Sequence, residues 1–444
     1  MNQLLKIGDT VRAHLQAIPC VVDAFLGAGG QGEVYRARLG GNTVALKWYF
    51  KEQATSTQRR VLDDLVRRGA PAPQFLWPTD LATSEGVPGF GYVMPLRGQR
   101  FRGLMDLVAR RVQPTFHTLI TAAIQLAASY KELHAKGLCY RDISFGNVFF
   151  DPATGDILIC DNDNVDVDGS TSGGVLGTPD FMAPELVRGE GRPSRVTDCH
   201  SLAVLFFYMF INHHPLYGRR LLSIRCLDLP ARTKLCGTEP LFIFDPQDRS
   251  NEAVPLEEDP ERIGDAGANA VKIWPLFPSF FQDLFLEAFT AGLREPNRRL
   301  GETIWQKTLV RLRDAIMRCG CGAENFFDKE RATRETSTCW HCKQGLHHPL
   351  CLSFGKSIVV LNDSTSLYPH HVDPQRDFDF SAPVATVARH PTNPQLWGLK
   401  NTSAAPWSIT MADGTARTVE PGRSVSLALG TRIQFGNSEG EIVQ

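Results

Sequence analysis

Tyr140-Arg-Asp142-Ile-Ser-Phe-Gly-Asn147 sets an aspartate and an asparagine five residues apart, and a short β-like run, Ile157 to Cys160, leads on into a second aspartate, Asp161. Toward the N-terminus, Gly27-Ala-Gly29-Gly-Gln-Gly32-Glu-Val34 lies between two apolar runs, which suits a β-hairpin whose bare backbone approaches phosphates. Such a turn taken alone is as often steric as functional. Ten residues beyond Val34, Val44-Ala-Leu-Lys47 reads as a strand ending in a lysine that reaches inner phosphates from the sheet. A lone lysine there is ordinarily a solvated edge residue, so the order of the parts carries the weight.

That order resembles the eukaryotic-like serine/threonine protein kinase family. The likeness extends through Gly177-Thr-Pro-Asp-Phe-Met-Ala183-Pro184-Glu185, similar to the end of an activation segment, and Asp198-Cys-His-Ser-Leu202, similar to the start of the buried central helix of the large lobe. Pro296-Asn-Arg-Arg299 resembles the position whose arginine pairs with Glu185. Six ordered motifs make chance agreement negligible. The resemblance implies ATP held under Gly27, Gly29, Gly32 and Val34, with Lys47 on its α- and β-phosphates and Asp142 accepting the substrate hydroxyl's proton. It implies magnesium on the oxygens of Asn147 and Asp161. Met94 would be the gatekeeper, Pro95, Leu96 and Arg97 the hinge, and Ala45 and Phe149 walls of the adenine pocket.

Several positions depart from the family's pattern. The helix after Lys47 offers Gln58 where a glutamate is expected, with Glu52 and Asp63 as alternatives. Tyr140 stands in place of histidine. Ser144 replaces a lysine that contacts the transferred phosphate, a loss worth on the order of a hundredfold in rate. Asn162-Asp163 replaces Phe-Gly after Asp161, and Asp163 is a candidate to help hold the metal. Ser170, Thr171, Ser172 and Thr178 are candidate phosphorylation sites whose charge would pair with Arg141.

Lysine plus arginine number 47 against 48 aspartate plus glutamate, so no net field steers the chain onto nucleic acid or an anionic membrane. The N-terminus lacks a secretory pattern, and the most apolar run, Leu202 to Ile211, is roughly half of a bilayer span. Localisation is expected to be cytoplasmic. The fold class expected is α+β: a bilobal kinase-like fold, then a small zinc ribbon and an all-β sandwich. The boundaries read are 1–98 for a sheet-dominated lobe and 99–316 for a helical lobe, with 236–274 as a surface insertion. Residues 317–352 follow as the ribbon and 353–444 as the sandwich.

Five of the eleven cysteines fall between Cys319 and Cys351, which is metal-site usage. Cys319-Gly-Cys321 and Cys339-Trp-His-Cys342 have the paired spacing of a closed, structural zinc site, with His341, His347, His348 and Cys351 as possible substitutes. Beyond them, Gly398 to Ser403, Pro421-Gly-Arg423 and Gly430 to Gly436 resemble later strands of forkhead-associated domains, and Arg389, Asn401 and Ser403 are candidate phosphothreonine contacts. Kinase, ribbon and sandwich together resemble the bacterial tellurium-resistance-associated (TerY-type) kinases, which implies a von Willebrand A-type protein and a metal-dependent phosphatase as partners. The expected function is a kinase acting on itself and on a protein partner recruited by the C-terminal modules. The alternatives are an ATP-binding pseudokinase scaffold and an adaptor acting through the ribbon and sandwich.

Overall fold

The computed structural model describes all residues except 1–2, 171–174, 259–265, 330–336, 356, 391 and 394–395. The chain divides into two compact units. Met1–Pro114, Thr121–Val271 and Phe285–Trp305 make the first, and Thr115–Ile120, Lys272–Leu284 and Gln306–Gln444 the second.

In the first unit six antiparallel strands close a barrel: β1 (Thr10–Ala13), β2 (Pro19–Ala28), β3 (Gly32–Leu39), β4 (Asn42–Tyr49), β5 (Asp80–Thr83) and β6 (Gly91–Pro95), in the order β1-β2-β3-β4-β6-β5. Side chains alternate across a strand, so Tyr35, Ala37 and Leu39 of β3 turn inward while Arg36 and Arg38 face solvent. On β4, Leu46 and Trp48 join that barrel core. Ala45 and Tyr49 take the opposite face with Tyr92 and Met94 of β6, packing against Leu62 of helix α1 (Ser56–Arg68). Lys47 falls between Ala45 and Tyr49 on this second face by the same period of two. Helix α1 starts where Thr55 caps the backbone N–H of Gln58 and stops at Gly69, which has a positive φ of 68°. The short strands β1, whose Val11 and Ala13 alternate inward, and β5 pair to close the barrel, with buried Asp80 accepting the backbone N–H groups of His14, Leu15 and Gln16.

The helical part of this unit is organised around Arg195–Ile211, which is buried along nearly its whole length. Ser194 and Thr197 form a capping box at its start, and Asn212 ends it in the left-handed region. The helix starts three residues before Asp198, and Asp198 and His200, polar yet buried, belong to it. The hairpin of Val148–Phe150 with Ile157–Ile159 sets Asn147 beside Cys160, whose N–H reaches the Asn147 carbonyl at 2.8 Å. Residues 236–274 are not a surface insertion throughout. Phe242, Ile243, Val254 and Ala270 are buried, and buried Asn251 ties Leu216 to Leu241 through their carbonyls. The prolines and acids that suggest a loop hide an apolar set without helical or strand period.

In the second unit, Ile316–Arg318 pairs with Glu324–Phe326 and presents the first cysteine pair. Six strands, in the order Ile358–Val360, Cys351–Ser353, Glu439–Val443, Arg432–Gln434, Trp407–Thr410 and Ala416–Val419, form one sheet. Ser366–Leu367, Ala385–Arg389, Trp397–Asn401 and Ser424–Ser426 form another. Leu352, Ile409 and Ile433 of the first share a core with Leu367, Leu399 and Val425 of the second. The turns at Gly414 and Gly422 have the positive φ expected of them. Among the described residues no helix is long and apolar enough to cross a membrane.

Candidate active site

A cavity of about 560 Å³ opens beneath the β2–β3 hairpin, within the usual range for a small-molecule site. Gly27, Gly29, Gly32, Val34, Ala45, Lys47, Met94, Pro95, Leu96 and Phe149 all line it, together with Asp142 and Asp161. The hairpin glycines divide into two kinds. A Cβ on Gly32 would meet the Trp48 carbonyl oxygen at 2.2 Å, so strand pairing itself demands a glycine there. At Gly27, Gly29 and Gly30 a Cβ would meet nothing within 4 Å, and none of the three has a positive φ. Neither packing nor backbone conformation requires glycine at those three, which leaves close approach of a ligand as the physical reason for them.

Asp142 lies on the loop between Leu138–Cys139 and the 3₁₀ turn Phe145–Asn147. Buried Asp198 anchors this loop by accepting the N–H groups of Tyr140 at 2.5 Å and Arg141 at 3.0 Å. His134 bridges Asp198 to Glu302 at 3.0 and 2.6 Å. Burial opposes charge on that imidazole, but the hydrogen bonds with Asp198 and Glu302 prevail and raise its pKa to about 9. The Asp142 carboxylate accepts the Thr178 hydroxyl at 2.7 Å and the Asn147 amide at 3.0 Å. Because the Asn147 nitrogen is spent on Asp142, its side-chain oxygen is the atom left to offer a cation. Tyr140 fills the histidine position as a buried ring whose hydroxyl donates to the Cys160 carbonyl, packed edge-on to Tyr130. Ser144, the last residue of this loop, is buried.

Residues 94–250 match the protein kinase domain. The match spans Met94 to Arg97, Asp142, Asn147, Asp161 and Glu185, and leaves out the glycine hairpin and Lys47. The DNA damage-responsive serine/threonine-protein kinase RqkA of Deinococcus radiodurans is 32% identical over 44% of this chain and 30% of its own length. A probable serine/threonine-protein kinase of Zea mays, CCRP1, is 30% identical over 26% of the chain and 18% of its own length. Protein kinase C delta type of Mus musculus is 35% identical over 22% and 14%. The chain spans less than a third of the length of each of these relatives.

Lys47 is almost wholly buried and reaches Asp163 at 2.9 Å, Gln31 at 3.0 Å and Asp161 at 3.5 Å. Gln58 does not contact it. That amide donates instead to the Tyr49 hydroxyl at 3.2 Å and to the Asp163 backbone carbonyl at 3.1 Å, while Glu52 and Asp63 are exposed. Asp163, a candidate metal helper from the sequence, has a different place in the structure. Its carboxylate accepts the hydroxyls of Tyr49 and Tyr92 as well as Lys47, so it is not available to a metal. Desolvation pushes its pKa upward, and Lys47 with the Tyr49 hydroxyl more than offsets this and holds it low. The aromatic pair on β4 and β6 was the available signal, since a tyrosine hydroxyl buried in a sheet core needs a partner.

Glu185 and Arg299 form a bidentate pair, both contacts at 2.7 Å. Of the candidate phosphorylation sites, Thr171 and Ser172 lie outside the described residues. Thr178 has its hydroxyl on Asp142, and Arg141 is engaged by Asp166 at 2.6 Å.

In the second unit the sulfurs of Cys319, Cys321, Cys339 and Cys342 all lie within 4.8 Å of one another, with Cys319–Cys342 at 3.5 Å and Cys321–Cys339 at 3.8 Å. A tetrahedron of thiolates at about 2.3 Å from zinc has edges of about 3.8 Å, so the set fits that ion. Asn325 donates to the Cys339 sulfur at 3.6 Å. Cys351 is elsewhere, buried in strand Cys351–Ser353 with Met317 and Val360. Asn401 and Ser403 are brought together at 2.7 Å, but buried Asn401 spends its amide on the Ala405 and Val419 carbonyls. Arg389 lies at the other end of that strand pair, over the Trp397 ring at 4.6 Å.

Proposed function

We propose that the chain is an ATP- and magnesium-dependent serine/threonine protein kinase. The observation that carries this reading is the meeting of Lys47, Asp142 and Asp161 around one cavity roofed by three glycines that the protein itself does not need. In this reading Ala45, Met94, Leu96 and Phe149 bound the adenine, Pro95 supplies hinge backbone, and Lys47 holds the inner phosphates. Thr178 and Asn147 fix Asp142 so that it orients the acceptor hydroxyl and takes its proton late in transfer. Asn147 and Asp161 would hold magnesium through their oxygens. Bound there, the ion would offset charge on the transferring phosphoryl group.

The four cysteines would hold zinc in a closed structural site. With the following forkhead-associated-like sandwich, that ribbon would recruit the protein substrate. Partnership with a von Willebrand A-type protein and a metal-dependent phosphatase rests on the resemblance to tellurium-resistance-associated kinases, and autophosphorylation and a cytoplasmic location complete the proposal. Ser144 favours a second reading, a pseudokinase that binds ATP without transferring it. Transfer of labelled γ-phosphate by wild type, Asp142→Ala and Lys47→Ala separates the two. Wild-type transfer well above both variants supports the kinase, and equality with Asp142→Ala refutes it.

A further inference from the structure

Lys47 is held from two sides by partners of different character. Gln31, on the glycine hairpin, accepts from Lys47 and donates to Asn164 at 2.9 Å, a neutral contact on a loop that lines the cavity. Asp163 is fully buried, and each of its oxygens receives both Lys47 and a tyrosine hydroxyl: Oδ1 takes Lys47 at 3.1 Å and Tyr92 at 3.1 Å, while Oδ2 takes Lys47 at 2.9 Å and Tyr49. A buried carboxylate stays charged only when so surrounded. Gln58 then fastens helix α1 to the backbone of this same residue.

We propose that Asp163 is the positioning residue that orients Lys47 toward the nucleotide phosphates, doing the work that a helix carboxylate does in the kinase pattern. The inference rests on the kinase reading for the identity of the nucleotide. Its consequence is that the turn carrying Asp161 also sets Lys47, and α1 contributes neutral contacts through Gln58 and Leu62 but no charge. Movement of α1 therefore leaves the ion pair intact, whereas movement of the turn breaks the pair and displaces Asp161 together.

The test uses the full chain in magnesium buffer, with ATP and adenosine titrated separately by calorimetry and thermal midpoints recorded for each variant. Asp163→Asn is expected to weaken ATP at least tenfold and adenosine less than twofold, because only ATP carries the phosphates that Lys47 meets. Lys47→Met is expected to lower the midpoint by stranding the buried carboxylate, and adding Asp163→Asn to it to recover part of that loss. Should Asp163→Asn fail to fold, Tyr92→Phe removes one hydroxyl from the carboxylate and is expected to give the same ATP-over-adenosine split, at about threefold. Unchanged ATP affinity, or ATP and adenosine weakened alike, overturns the proposal. Absence of phosphoryl transfer in wild type with the split intact refutes the kinase reading alone, and transfer without the split refutes this inference alone.

Discussion

The Lys47 side and the Asp142 side of the cavity each depart from the kinase pattern by one charged group, and they differ in what stands in its place. On the Lys47 side a glutamine replaces the helix carboxylate, and Asp163 restores the charge from another element at 2.9 Å. On the Asp142 side Ser144 replaces a lysine, and the groups on Asp142 itself are the neutral Thr178 hydroxyl and Asn147 amide. Binding charge can be supplied from any element that reaches the site. Charge on the transferring phosphoryl group has to sit at one place, so its loss falls on rate.

The largest effect expected from this contrast is that of Asp142→Asn. Single-turnover transfer should fall by about a thousandfold, while ATP affinity measured by calorimetry stays within about twofold, since uniform binding does not pass through that carboxylate. Ser144→Lys should raise the transfer rate by roughly tenfold to a hundredfold, and an unchanged rate would mean that the Asp142 side lacks nothing. Gln58→Leu should raise the KM for ATP by only about threefold, because it removes two neutral hydrogen bonds, to the Asp163 backbone and the Tyr49 hydroxyl, and leaves the ion pair. A Gln58→Leu effect as large as that of Asp163→Asn would return the counterion role to α1.

The Asp142 side also rests on a titratable support. His134, facing Asp198, Glu302 and the Tyr130 ring, has its pKa raised from 6.5 to about 9, and Glu302, facing His134 and Arg195, has its own lowered from 4.5 to about 2 despite burial. A raised folded-state pKa gives stability that is complete below pH 6.5 and lost as pH climbs through about 9. The lowered Glu302 value gives stability complete above pH 4.5 and lost as pH falls toward 2. Thermal midpoints should therefore be highest between about pH 5 and 6.5, and the alkaline loss, worth ~3 kcal/mol, should be absent in His134→Gln.

Much of the site was legible because its residues sit in ordered motifs at short spacing. Gly27 to Val34, Lys47, Asp142 to Asn147 and Asp161 line or adjoin one cavity, and strand alternation on β4 and β6 puts Lys47, Ala45 and Met94 on one face. Asp163 was singled out only as a metal candidate, and its pairing was not legible, because it comes from contacts with Tyr49 and Tyr92, more than seventy residues away. Spacing along the chain carries no signal of such a pairing. Helix Arg195–Ile211 was legible from Asp198 onward through its motif, whereas its first turn, set by the capping box of Ser194 and Thr197, lies ahead of the apolar run. The stretch 236–274 misled through composition, since prolines and acids surround Phe242 and Ile243 without removing them from the core.

The account turns on binding and transfer being separable on the two sides of the cavity. Its most direct test is transfer rate and ATP affinity measured on the same preparations of wild type, Asp163→Asn and Asp142→Asn. The prediction is that wild type transfers phosphate, Asp163→Asn loses ATP affinity, and Asp142→Asn loses transfer while keeping affinity. Wild-type transfer no faster than that of Asp142→Asn would contradict it.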